Sequence, residues 1–146
     1  MLKKTLLFFT LILSLSLITA CDDDEGTVDT MPQYNVQIMQ PSTDDKKVND
    51  DIHVHVEFAE ANRETIHHVN VKIYNKTDES IVLLDAPVGA HVHDESGNYA
   101  VHADVALTEA VGVVGHTDWI LESKVWGHEA GVGEVVEQIE FHVHPE

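Results

Sequence analysis

The stretch Asp51-Ile52-His53-Val54-His55-Val56-Glu57-Phe58 decides how this chain folds. Apolar and polar residues alternate strictly through it, a period of two that puts Ile52, Val54, Val56 and Phe58 on one face of an extended strand. The other face carries His53, His55 and Glu57. A helix would scatter these residues around its axis, so the stretch is a half-buried β-strand.

The same alternation recurs outward in both directions. Tyr34, Val36 and Ile38 precede it; Val69, Val71 and Ile73 follow. Ser80 to Leu84 and Val88 to His93 are shorter runs. Tyr99, Val101, Ala103, Val105 and Leu107 form another, and Trp119, Leu121, Ser123 and Val125 the next. Ile139, Phe141 and Val143 close the series. Turn-forming clusters separate the runs: Pro41-Ser42-Thr43-Asp44-Asp45, Ala59-Glu60-Ala61-Asn62, Asp94-Glu95-Ser96-Gly97-Asn98, and the two-glycine segment Glu129 to Gly133. Short alternating strands at this spacing predict an all-β fold, an antiparallel two-sheet sandwich of about seven strands over 33–146. Trp119 is in phase with the apolar positions and is expected in the core; Trp126 is expected outside. The last hairpin, a Trp-led strand, a Gly-rich turn and an alternating strand, resembles the closing hairpin of bacterial Ig-like domains. That resemblance implies an Ig-like order in which the strands at 34–40, 52–58, 99–107 and 88–93 share one sheet.

Residues 1–20 have the layout of a secretory signal. Lys3 and Lys4 make a positive start, and Leu6 to Leu17 is an apolar stretch too short to span a bilayer. The ending Ile18-Thr19-Ala20-Cys21 resembles the lipobox of bacterial lipoproteins, which implies cleavage before Cys21 and a lipid on its sulfur. Cys21 is the only cysteine, so an intramolecular disulfide and a Cys-based site are excluded. Residues 21–32 read as an acidic linker. Asp22-Asp23-Asp24-Glu25 resembles the acidic export stretch of surface-exposed lipoproteins of some Gram-negative bacteria, and Asp29-Thr30-Met31 resembles an O-glycosylation acceptor of the same bacteria. The expected location is the cell envelope, lipid-anchored at the outer membrane.

Charge narrows the partners. The full chain carries a formal −18; loss of residues 1–20 removes Lys3 and Lys4 and leaves six basic against 26 acidic side chains. Such a surface repels nucleic acid and attracts cations. The 11 histidines are several times ordinary usage, and neutral imidazole is the commonest side-chain metal ligand. Three copies of His-Val-His, at 53–55, 91–93 and 142–144, each put two imidazoles on one strand face.

A hairpin that joins 88–93 to 99–107 with apolar residues inward would pair Val92 with Ala103, His93 with His102 and His91 with Asp104. With the strand at 52–58 on the other side, one outer face would hold His53, His55, His91, His93 and His102, with Asp104 as a further ligand and Glu57 nearby. This set suits Zn²⁺ or Cu²⁺. A second, looser site is expected from His116, His142 and His144, with Asp118 beside it. His67, His68 and His128 are read as polar filler, as lone surface histidines usually are.

His-Val-His on a strand resembles the copper-ligand strand of copper/zinc superoxide dismutases, but there is no disulfide, no zinc loop and no arginine near the metal, so the activity is not implied. Small Ig-like periplasmic copper carriers are more similar in size and compartment. No phosphate loop, His-Glu-x-x-His helix or nucleophile elbow occurs. The sequence therefore predicts a non-enzymatic envelope protein that binds Zn²⁺ or Cu²⁺ as scavenger, buffer or carrier. The alternative is a surface interaction module for other envelope proteins or glycans, its histidines incidental or pH-responsive.

Overall fold

A computed structural model describes residues 31–146; the expected signal peptide, lipidation site and most of the linker lie outside the described residues. Among the described residues nine strands form: β1 (Tyr34–Gln40), β2 (Lys46–Lys47), β3 (Asp51–Glu60), β4 (Ile66–Asn75), β5 (Val82–Ala86), β6 (His91–Asp94), β7 (Asn98–Ala106), β8 (Thr117–Trp126) and β9 (Val135–His144). One 3₁₀ turn covers Glu109–Val111. Among the described residues no helix is long and apolar enough to cross a membrane.

The strands make two packed sheets. The smaller runs β1-β3-β7; the larger runs β2-β9-β8-β4-β5, with β6 also paired to β4. The predicted alternation places the core. Val54, Val56 and Phe58 of β3 meet Val69, Val71 and Ile73 of β4 and Trp119, Leu121 and Val125 of β8, all at or below 1% exposure. Trp119 is fully buried as expected, and its indole N–H donates to Thr117 Oγ1 at 3.0 Å, so the one polar atom of the ring is satisfied. None of the histidines is buried.

One pairing differs from expectation and changes the surface. Strand β6 does not form a hairpin with β7. It pairs with β4 in the larger sheet, with His91 opposite His68 and Asp94 opposite Ile66. Strand β7 instead pairs along its length with β3, which puts Val54 opposite Ala103, His55 opposite His102 and His53 opposite Asp104. The turn at 94–98 is thus a crossing between sheets. Asp94 accepts bonds from the Ser96 N–H and Oγ–H, and Glu60 N–H donates to Gly97 O at 2.9 Å, tying the crossing to the end of β3. Gly97 has φ 71 and sits so close to Arg63 that a Cβ would lie 2.4 Å from its Cα. Alternation fixes which face of β6 is apolar, but a four-residue strand with Val92 as its inward residue carries too little apolar surface to name its neighbour.

The same end of the sandwich is organised by a buried acid. Glu60, 3% exposed, accepts backbone N–H groups from Gln33 (3.1 Å), Asn62 (2.7 Å) and Glu64 (2.9 Å). Burial pushes its carboxyl up, and these N–H groups outweigh it, holding it below the usual carboxylate value.

Candidate metal centre

The two sheets distribute all 11 histidines into three groups. The first lies on the outer face of the smaller sheet. His53, His55 and His102 stand there with Asp104 and Glu57. His53 Nδ1–H donates to Asp104 Oδ1 at 2.7 Å, and His55 Nε2 lies 3.2 Å from Glu57 Oε1. The rings of His55 and His102 stack at 4.2 Å with planes 26° apart. His53 lies 5.7 Å from His102.

The second group occupies the corner where β4, β6 and the β8–β9 turn meet. It contains His91 and His93, which the altered pairing moves away from His102. It also contains His67, His68 and His128, which the sequence suggested were isolated filler. Contacts between the five rings lie between 4.9 and 6.4 Å. Trp126, outward as expected, stacks flat on His68 at 5.1 Å. Burial, followed by the neighbouring His128, His93, His68 and His91, holds the His67 imidazole below its usual value.

The third group closes the other end of β8. His116, His142 and His144 each offer one ring nitrogen, and the three nitrogens lie within 4.8 Å of one another, the one such group of three among the described residues. Each ring has its own backbone cause. His142 is on β9 directly across from Asp118 on β8, and its Nδ1–H donates to Asp118 Oδ1 at 2.7 Å. His144 is two residues on, on the same face; its Nε2–H donates to Asp45 Oδ2 at 3.0 Å. Asp45 is there because β2 runs parallel to the end of β9, with Lys47 opposite His144. His116 precedes β8 in a left-handed conformation, φ 62, pinned by its N–H donating to Val143 O at 2.7 Å. This turn sends its ring back over the strand ends, 6.1 Å from His142 and 6.0 Å from His144, while the latter two are 4.7 Å apart.

The hydrogen bonds set the tautomers. With Nδ1 of His142 and Nε2 of His144 committed to carboxylates, Nε2 of His142 and Nδ1 of His144 carry lone pairs. A carboxylate behind an imidazole is the usual support for a metal-ligating histidine: it orients the ring and raises its basicity. Three imidazoles with an open side can hold Zn²⁺ or Cu²⁺ and leave a position for water or an exchanging ligand.

The predicted residues are thus all at the surface but not in the predicted partnership. The group proposed first from the sequence is split, with His53, His55, His102 and Asp104 on one sheet and His91 and His93 on the other. The group proposed second is the one whose nitrogens converge. Asp45 was not foreseen, and a two-residue strand leaves no pattern by which to foresee it.

No family model matches the sequence, nor does any curated protein. Among solved structures the chain is similar to the CARDB domain of a Pyrococcus furiosus protein, solved in complex with di-metal ions, with TM-score 0.51 and 15% identity over 80% of this chain and 96% of that one. It is also similar to part of a β-glucosidase from Listeria innocua in complex with gluconolactone, with TM-score 0.45 and 13% identity over 77% of this chain and 16% of the glucosidase. At 15% identity the likeness to the CARDB domain is one of fold: the chain is an all-β, Ig-like sandwich.

Proposed function

We propose that this protein binds a divalent transition metal, Zn²⁺ or Cu²⁺, through His116, His142 and His144, and that it serves as a scavenger, buffer or carrier rather than as an enzyme. One observation carries the reading: three ring nitrogens within 4.8 Å, two of the rings hydrogen-bonded to Asp118 and Asp45. The formal −18 of the chain adds a field that concentrates cations at the surface. The domain of similar fold solved with di-metal ions agrees with the reading. His116 and His142 are exposed and half-buried, which suits an ion that must enter and leave. The site works in the cell envelope, on a chain anchored through a lipid on Cys21.

Calorimetric titration of the full-length chain with Zn²⁺ and Cu²⁺ tests this. Binding is expected, weakened at least a hundredfold when His142 and His144 are both replaced by alanine. If no binding tighter than millimolar occurs, or the double variant binds as the wild type does, the protein is instead an interaction module with incidental histidines. Incorporation of labelled fatty acid, lost in Cys21→Ala, tests the anchor separately.

A further inference from the structure

The corner between β4 and β6 lies at the opposite end of β8, about 26 Å from Asp118 at the rise of an extended strand. Four of its imidazoles close a ring: His67 to His68 6.4 Å, His68 to His91 4.9 Å, His91 to His93 6.1 Å and His93 back to His67 5.2 Å between centroids. Imidazoles that share one tetrahedral ion, at the usual metal–nitrogen length, have centroids about 5 Å apart. Two of these spacings match that shell and the other two exceed it by about 1.1 and 1.4 Å, so the rings must turn inward to close on one ion.

Three local features set this group apart from polar filler. His68 Nδ1–H donates to the carbonyl of Gly127 at 2.9 Å, which leaves the lone pair on Nε2. His91 Nδ1–H donates to that Nε2 at 3.1 Å, so the two nitrogens already face each other at close to the roughly 3.4 Å that separates two nitrogens on one tetrahedral ion. A backbone carbonyl behind a ligating imidazole orients it as a carboxylate would. Next, the β4–β6 register slips between Ile66 and His68, and His93 in the slipped segment has φ 51. A bulge of this kind re-aims a side chain, here toward His67. Last, His67 Nδ1 is buried and has no hydrogen-bond partner. Buried polar atoms are nearly always partnered, so this one is short of a ligand.

We infer that His67, His68, His91 and His93 form a second transition-metal site, and that an ion bound there clips β6 to β4. The site stands on its own residues; only the choice of Zn²⁺ or Cu²⁺ rests on the function proposed above. Glu95, whose carboxylate is 3.7 Å from His93 Nε2, lines a cleft of about 710 Å³ with Glu64 and Glu129, and these three acids outnumber its one cation, Arg63. Coordination would shield β6, a four-residue strand, from fraying.

The test counts bound Zn²⁺ per full-length chain by equilibrium dialysis and elemental analysis. The wild type is expected to hold two equivalents. H142A/H144A should keep one, and H91A/H93A, which alters two exposed residues, should also keep one. The equivalent retained in H91A/H93A reports that the variant is folded. In H142A/H144A, zinc should slow amide exchange over 91–94 at least tenfold, and adding H91A/H93A should abolish the remaining equivalent. The inference is overturned if H142A/H144A holds no zinc, or if its equivalent survives H91A/H93A and disappears with His102→Ala. If H142A/H144A leaves the count unchanged and H91A/H93A lowers it, the site at His116, His142 and His144 fails while the corner stands. A wild type that holds no zinc overturns both.

Discussion

The outer face of the smaller sheet and the end of the larger one have the same ingredients. Each has three histidines, and in each an aspartate sits 2.7 Å from a ring nitrogen. They differ in what the backbone does to the rings. On the flat face, β3 and β7 hold His55 and His102 as direct cross-strand partners, and the rings stack with planes 26° apart. An imidazole lone pair lies in the plane of its ring, so stacked rings aim their lone pairs side by side. At the sheet end, His116 comes from a loop and meets His144 at 87°, and His142 meets His144 at 67°. Crossed planes allow lone pairs to converge. A regular pleat displays imidazoles; an irregular backbone, here φ 62 at His116, makes them face one another.

The largest expected effect tests this contrast directly. Replacing both His142 and His144 by alanine should lower Zn²⁺ affinity at least a hundredfold, whereas His55→Ala with His102→Ala should change the tightest binding less than twofold; calorimetry on both variants reads the difference. Next in size is the contribution of the supporting acids. Asp118→Asn keeps the shape of the side chain but removes the charge behind His142, and should cost about 10- to 100-fold in affinity. Asp104→Asn, the same change on the flat face, should cost nothing measurable in the same titration.

A third prediction separates acids that serve imidazoles from acids that serve the fold. Glu60 is committed to backbone N–H groups, so Glu60→Ala should destabilise the domain by about 1–3 kcal/mol in urea denaturation without altering the zinc affinity of the sheet end. Its folded-state carboxyl is held below the ordinary 4.5. The stability it contributes is therefore complete above about pH 4.5 and lost as pH falls through the lower folded value. Wild type and Glu60→Ala should converge in stability in acid and diverge above it. The smallest effect is expected beneath the sheet that joins the two ends. Ser123 is fully buried and its hydroxyl has no partner. Ser123→Ala should leave metal binding unchanged and be neutral or stabilising by up to about 1 kcal/mol in thermal denaturation.

Much of the fold was legible because one physical rule, inward and outward alternation, recurs in every long strand. It identifies Val54, Val71, Leu121 and Phe141 as core, and it places the histidines outside. It says nothing about neighbours. His91 and His93 present the same pattern whether β6 joins β7 or β4, and the choice is made by the crossing at Asp94 to Gly97 and by the carbonyl of Ala90, which accepts Val69 N–H. The candidate site was legible only in part for the same reason. His142 and Asp118 can be matched from a hairpin register, but Asp45 reaches His144 across 99 residues. His67, His68 and His128 are unremarkable singly and are joined only by three-dimensional packing.

The most direct test of the central claim is the imidazole nitrogen and proton NMR spectrum of the full-length chain as the first equivalent of Zn²⁺ is added. The prediction is that the ring signals of His142, His144 and His116 shift, with Nε2 of His142 and Nδ1 of His144 moving to metal-bound values, while His55 and His102 stay in place. Shifts that begin at His55 and His102, or no histidine shifting at all, would contradict it.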